Sequence, residues 1–149
     1  MRYFNVLLVV SLCFSISCTQ QTSKPKIEGT WKLQTGTLIE NGDTTVTDYT
    51  TGQSFIKVIN ETHFAFLLHD LNHGKDSSLA IYSSGGGKYT LDGNTYTEHL
   101  EYCTAREWEG HDFPFEITIS GDTLVQQGVE EIPEQNVKRY NIEKYLRVK

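Results

Sequence analysis

One candidate strand, residues 95–103, carries most of the side chains that could do chemistry. Successive side chains of a β-strand point to opposite faces, so Tyr96, Glu98, Leu100 and Tyr102 share one face. If that face is inward, Glu98 is a carboxylate in an aromatic chamber, where burial raises its pKa or demands a cationic or hydrogen-bonding partner. A pocket with one polar anchor has this composition. The alternative is a solvated Glu98 near a barrel mouth, with tyrosines that only pack.

The opposite face of the same segment offers a second chemistry. His99 and Glu101 are two residues apart, roughly 7 Å along one face, and a carboxylate can orient a histidine as a general base. No nucleophile lies nearby in sequence, so we expect a polar outer face here. An enzyme that uses Glu98 or His99 as a general base ranks below a binding function, and we assign no catalytic residue.

The five histidines raise the question of a metal site. His63 and His69 share strand parity, but six residues place them about 20 Å apart. A turn could bring together His69, Asp70 and His73, and zinc takes three or four such ligands. The alternative is an exposed polar loop. We expect no metal and no other cofactor, and the role of this trio stays open. Cys103 has no cysteine beside it and fits a small packing residue.

The elements that must position these side chains are strands. Short runs rich in Thr, Tyr, Phe, Ile and Val lie between frequent turn signals, which is typical of an all-β chain. Loops are expected at 71–84 and 104–112. The expected strands are 27–38, 45–50, 54–59, 63–69, 88–91, 95–103, 113–120 and 123–125.

Two hairpins have clear turn signals. A two-residue Asp92-Gly93 loop predicts that Tyr89 lies opposite Tyr96 and Gly87 opposite Glu98. A Gly121-Asp122 loop joins the next pair of strands. In the first strand of that pair, alternate residues predict one buried and one wet face. The buried face would comprise Phe113, Phe115, Ile117 and Ile119.

The C-terminal stretch fits either a helix or a strand. As a strand, its apolar face would carry Tyr140, Ile142, Leu146 and Val148. We prefer the strand, because the preceding meander leaves an edge that needs pairing. Eight or nine antiparallel strands in about 120 residues close most economically as a single up-and-down β-barrel, and about eight strands can enclose side chains or one small ligand.

The length of the chain indicates a single domain, and its charge excludes a nucleic-acid-binding protein. The chain has 149 residues, which fits one domain, and 13 basic against 19 acidic residues give a net charge of −6. A nucleic-acid-binding protein needs a basic face to neutralise phosphates, and no cluster of Lys or Arg supplies one. We therefore expect no nucleic-acid partner.

The N-terminus has the pattern of an export signal. Arg2 precedes an apolar run over residues 3–16, which is shorter than the roughly 20 residues of a spanning helix. The run ends at Ser17-Cys18 and a polar stretch follows. This predicts a signal peptide at 1–17, a lipidated Cys18 with a tether at 18–26, and a domain at 27–149. The alternatives are an ordinary cleaved signal and an uncleaved anchor.

Several motifs carry a family resemblance. The residues around Cys18 resemble a bacterial lipoprotein signal, although Ser15 stands where a Leu-like residue is usual. Gly29-Thr30-Trp31 resembles the Gly-x-Trp start of lipocalins, in which the Trp closes the barrel floor and an Arg near the last strand packs across it. Arg147 occupies that position. Segments 62–66, 85–102 and 119–124 resemble lipocalin-like lipoproteins of the Bacteroidetes cell envelope. The resemblance implies a lipocalin-like fold and an envelope address, and no catalytic residues.

The sequence thus predicts an outer-membrane lipoprotein, facing the periplasm or the cell surface, that binds a small apolar or amphipathic molecule. A filled barrel that contacts a protein partner through its outer face or loops is the alternative. Ligand identity, membrane leaflet and oligomeric state stay open. The predicted ligand-binding residues are Phe64, Phe66, Tyr89, Tyr96, Glu98 and Tyr102.

Overall fold

The computed structural model describes residues 25–149. The predicted signal peptide, Cys18 and most of the tether lie outside these residues. Within 25–149, no helix is both long and apolar enough to cross a membrane. Two short 3₁₀ turns, Arg106–Trp108 and Pro133–Gln135, accompany the strands. The strands are β1 Gly29–Glu40, β2 Asp43–Asp48, β3 Gln53–Ile59, β4 His63–Asp70, β5 Tyr82–Asp92, β6 Thr95–Cys103, β7 Asp112–Ser120, β8 Thr123–Ile132 and β9 Val137–Arg147.

The strands form a closed antiparallel barrel. From β3 to β9 each strand pairs with the next one in the chain, and β1 pairs with both β3 and β9. Eight strands therefore close the sheet, while β2 pairs along the second half of β1 as an extra strand. Closure removes the open edges that an antiparallel meander would otherwise expose. The fold is the predicted all-β, lipocalin-like, up-and-down barrel.

The two predicted hairpins differ in register. Ser120 pairs with Thr123 across the Gly121-Asp122 loop, as predicted. In the other hairpin Asp92 pairs with Thr95, so the loop is Gly93-Asn94 and begins one residue later than predicted. Gly93 has φ +57, a left-handed conformation that glycine adopts at no steric cost, so it suits the first position of this loop.

The later loop position corrects the predicted pairing between β5 and β6. Tyr89 lies opposite Glu98 rather than Tyr96, and Gly87 lies opposite Leu100 rather than Glu98. The predicted strand at 88–91 also begins earlier, at Tyr82, because its glycines continue the pairing with β4.

The C-terminal stretch is a strand, as we preferred, but its faces are the reverse of the apolar pattern. Tyr140 and Leu146 are 36% and 41% exposed on the outside, whereas Tyr145 is fully buried. Because successive side chains of a strand point to opposite faces, the polar residues on the same face of β9 as Tyr145 face the barrel interior. These residues are Arg139, Asn141 and Glu143, which all border the internal cavity described below.

The end of the barrel where β1 begins is packed and closed. Trp31 is fully buried, and its indole nitrogen donates a hydrogen bond to the Ile27 carbonyl at 2.8 Å. The Arg147 guanidinium carbon lies 4.0 Å from the centroid of the Trp31 ring, and Nη1 donates to the Glu28 carbonyl at 2.7 Å. Gly29 leaves room for this guanidinium, because a Cβ there would lie 2.6 Å from Nη1.

Candidate ligand-binding cavity

A cavity of about 360 Å³ lies inside the barrel beyond the packed floor. It occupies the half of the barrel that contains the end of β1 and the start of β9. Gly36 and Leu38 of β1 and Arg139 of β9 border it. Its walls combine two kinds of side chain. The apolar lining includes Leu38, Tyr49, Phe55, Phe66, Leu100 and Phe113, and the polar lining includes Lys57, Glu98, Gln126, Glu130, Arg139 and Glu143.

The inner end of the cavity is a buried ion cluster centred on Lys57 of β3. Its ammonium lies 2.7 Å from Oε1 of Glu98 on β6 and donates to Oε1 of Gln126 on β8 at 3.0 Å. Oε2 of Glu143 on β9 is 3.7 Å from the same ammonium. Four strands therefore meet through one side chain, and an ion pair so deeply buried is stable only because several partners solvate each charge.

The cluster shifts the pKa of both Lys57 and Glu98. Burial lowers the pKa of Lys57, but the Glu98 and Glu143 carboxylates outweigh burial and leave this pKa raised, so the ammonium stays charged. Burial also raises the pKa of Glu98, and the attraction of Lys57 compensates only in part. Burial is thus the main cause of the raised pKa of Glu98, whereas Lys57 keeps a raised pKa because two carboxylates face its one ammonium group.

A second ion pair lies higher in the cavity wall. Glu130 accepts a hydrogen bond from Nε of Arg139 at 2.6 Å and another from the amide of Asn141 at 3.1 Å. Burial raises the pKa of Glu130, against the opposing effect of Arg139. The Arg139 guanidinium also lies 4.6 Å from the centroid of the Trp108 ring, which borders the cavity.

That contact holds the loop between β6 and β7 over the cavity mouth. Trp108 belongs to the 3₁₀ turn of this loop and packs on Phe113 at a centroid distance of 5.6 Å. His111 Nε2 lies 3.5 Å from Oε2 of Glu134 in the loop between β8 and β9. Trp108 and His111 therefore connect this loop to β9 and to the loop between β8 and β9.

Five of the six predicted ligand-binding residues fall into three groups. Phe66 and Glu98 border the cavity. Phe64 and Tyr96 lie in the packed core, edge to face with centroids 6.4 Å apart. Tyr89 is half-buried next to Tyr96, and its hydroxyl donates to the Asn60 carbonyl at 2.8 Å.

Tyr102 is the exception, and its predicted place on the face of Glu98 is wrong. Gly87 pairs with Leu100 but Gly86 pairs with Tyr102, so Glu101 is an extra residue that forms a β-bulge. The bulge reverses the alternation. Tyr102 is 68% exposed on the outside, while Cys103 turns inward to border the cavity. Burial raises the pKa of the Cys103 thiol.

Most polar residues of the cavity were not found from the sequence. Lys57, Gln126 and Glu130 stand in strands whose apolar neighbours dominate the pattern. The sequence did contain one usable signal. Arg147 is expected to face Trp31, and counting back in twos from Arg147 gives the inward residues of β9. These are Tyr145, Glu143, Asn141 and Arg139.

The histidines do not join Glu98. Nδ1 of His99 lies 2.7 Å from Oδ1 of Asp112, whose side chain is 64% exposed, on the face opposite to Glu98. His63 is exposed and its Nδ1 is 2.7 Å from the Thr62 hydroxyl. The structure therefore does not bring a histidine and Glu98 together as a general-base pair.

Asp70 organises the loop that was considered for metal binding. It accepts hydrogen bonds from the backbone N–H groups of Gly74 at 2.8 Å and Asn72 at 3.1 Å. The bond from Gly74 is the main cause of the lowered pKa of Asp70. Within residues 25–149, no group of three or more His, Cys, Asp or Glu side chains has the arrangement to hold a metal ion.

No protein-family model and no curated protein sequence matches the chain. The geometry and charge of the cavity are therefore the basis for assigning a function.

Proposed function

We propose that the protein binds one small amphipathic molecule inside its barrel, at the cell envelope. The cavity of about 360 Å³ is the observation that carries this proposal. Its volume falls in the range of roughly 300–1,000 Å³ that is typical of small-molecule sites. An aromatic wall suits an apolar body, and the buried polar cluster suits one polar group.

The same cavity disfavours the two rival functions. The alternative of an interaction module required a filled barrel, whereas this interior leaves room for a ligand. An enzyme that uses Glu98 as a general base would need Glu98 to take a proton from a substrate, but Glu98 is engaged by Lys57 at 2.7 Å. His99 lies on the other side of the sheet, paired with Asp112.

The envelope address is supported by sequence alone. The apolar run at 3–16, Cys18 and the polar tether precede the barrel. We propose that a lipid on Cys18 anchors the barrel at the outer membrane, since two or more acyl chains are needed for stable anchoring. A tether of eight residues from Thr19 to Lys26 keeps the barrel within about 30 Å of the membrane.

Binding can be tested with N-phenyl-1-naphthylamine, an uncharged probe whose fluorescence rises in apolar surroundings. We expect saturable binding by the wild-type protein. Ala105 borders the cavity, so Ala105→Trp should fill part of it and weaken binding at least tenfold. Val46→Trp adds the same side chain on the outside, where Val46 is 65% exposed, and should bind like wild type.

All three proteins are measured in the same detergent, so that uptake of the probe by micelles cancels. Circular dichroism melts establish that both variants are folded. A wild-type signal no greater than that of Ala105→Trp would refute the proposed function.

A further inference from the structure

The charges that line the cavity do not balance. Glu98, Glu130 and Glu143 face two cations, Lys57 and Arg139. Arg139 is committed to Glu130 at 2.6 Å, and Lys57 is closest to Glu98 at 2.7 Å. Glu143 is left with the longer contact to Lys57, at 3.7 Å, and with a hydrogen bond from the Tyr145 hydroxyl at 2.7 Å. Glu143 is therefore the least compensated carboxylate of the cavity.

Aromatic rings stand next to this carboxylate. Glu143 pairs with Gly36 across β1 and β9, and the Tyr49 ring packs against Gly36, where a Cβ would lie 3.1 Å from it. Tyr49 contacts Phe55 edge to face at 5.9 Å between centroids. Phe55 in turn stacks on Phe66 at 5.7 Å. A carboxylate beside several aromatic rings is the combination that attracts an organic cation.

The cavity does not favour an anionic head group. Both cations of the cavity already contact carboxylates at hydrogen-bond distance, so an entering carboxylate or phosphate would face Glu143 without an unengaged positive charge. A neutral head group would leave the negative excess of the cavity unchanged. Only a cationic head group both binds in the cavity and compensates its excess negative charge.

We infer that the cavity selects amphipathic amines, whose ammonium group contacts Glu143 beside the Tyr49 and Phe55 rings while the apolar part lies against the remaining aromatic wall. This inference rests on the proposed function, since it names the chemical class of the molecule that the cavity binds.

The test compares three ligands with one eight-carbon chain: octylamine, octanol and octanoate. Each competes with N-phenyl-1-naphthylamine for the wild-type protein at pH 7.5. We expect octylamine to displace the probe at concentrations at least tenfold lower than the other two. Glu143→Gln keeps an acceptor for Tyr145 and should reduce octylamine to the level of octanol, with octanol itself changed less than twofold.

Glu131→Gln is the matched control, because Glu131 lies on the outside of β8 and pairs with exposed Lys138. It should retain the full preference for octylamine. Tyr49→Leu serves as a second variant if Glu143→Gln does not fold, and we expect it to weaken octylamine about fivefold, in line with a cation–π contribution of roughly 1 kcal/mol.

The possible outcomes separate the two proposals. Equal displacement by all three ligands, or preferred displacement by octanoate, would overturn the amine inference and leave the binding function standing. A wild-type protein that binds neither the probe nor any of the three ligands would overturn both.

Discussion

Lys57 and Glu98 stand 41 residues apart in the chain, yet their charged groups meet inside the barrel at 2.7 Å. They extend from β3 and β6, which are not neighbours in the sheet, so the pair spans the interior. Gln126 and Glu143 complete its surroundings from two further strands. The lower half of the barrel is closed by Trp31 and its apolar neighbours, and this polar cluster forms the base of the open half.

Removal of Lys57 should destabilise the barrel strongly. Lys57→Met leaves Glu98 and Glu143 buried without their cation, and the loss of one partner of a buried ion pair costs about 3–5 kcal/mol. Lys57→Met combined with Glu98→Leu should recover much of this loss, because an apolar replacement needs no charge partner. Urea unfolding followed by circular dichroism measures the three free energies.

Lys138→Met is the control for the loss of a lysine from an ion pair. Lys138 and Glu131 lie 3.1 Å apart with both side chains largely exposed, so the cost should stay below about 1 kcal/mol. Equal unfolding free energies for Lys57→Met and Lys138→Met would contradict the role assigned to the cluster.

Stability should depend on pH through Glu98. Its pKa is raised in the folded protein, chiefly by burial, so the folded state holds this proton to higher pH than the unfolded chain. The resulting stabilisation is complete below the unfolded pKa of about 4.3 and is lost as pH rises through the folded pKa. From pH 4.5 toward neutrality, wild type should therefore lose stability relative to Glu98→Gln.

Chemical unfolding of both proteins at several pH values between 4.5 and 7.5 tests this difference. Asp70 and other acids with lowered pKa values change the stability only below about pH 4, which is outside that window. They are also common to both proteins. A wild type that gains stability relative to Glu98→Gln as pH rises would show the opposite sign and reject the assignment.

The closed end depends on Trp31. Trp31→Ala removes a fully buried indole and the surface on which Arg147 packs, and should cost about 3–5 kcal/mol in unfolding free energy. Trp108→Ala is the matched control, since Trp108 is only partly buried at the cavity mouth and should cost less than half as much. Melting temperatures that fall equally for both variants would contradict a special role of Trp31 at the closed end of the barrel.

Membrane attachment should depend on Cys18. Cys18→Ser removes the thiol that we expect to carry lipid, and the protein should move from the membrane fraction to the soluble fraction after cell lysis. Cys103→Ser alters a cysteine inside the barrel and should leave the protein with the membranes. Cys18→Ser protein that stays in the membrane fraction would refute lipid anchoring at this residue.

Strands and turns were predictable because their signals are local. The limits of β6 agree with the prediction of 95–103, and β7 has the predicted buried series from Phe113 to Ile117. Both follow from period-two alternation between turn residues. The Gly93-Asn94 loop shows the limit of this approach, since two adjacent turn registers satisfied the same local pattern and strand pairing selected one.

The composition of the binding cavity was less predictable. Glu98 was recognised because it stands between aromatic residues, whereas Lys57 gave no comparable signal. The position of Tyr102 was mistaken because a single bulge residue, Glu101, reverses the faces of everything that follows it. On β9 the more apolar face lies outside, so a prediction from hydrophobicity alone assigned the wrong face to the interior.

The amino-acid sequence by itself determined an all-β chain, most strand limits and the turn at Gly121-Asp122, because these depend on residues close together in the chain. Only the tertiary structure decided which side chains share the interior. The contacts of Lys57 with Glu98, Gln126 and Glu143 depend on sheet closure, pairing register and a bulge. Each of these is set by contacts between residues distant in sequence, and together they decide the charge and shape of the cavity.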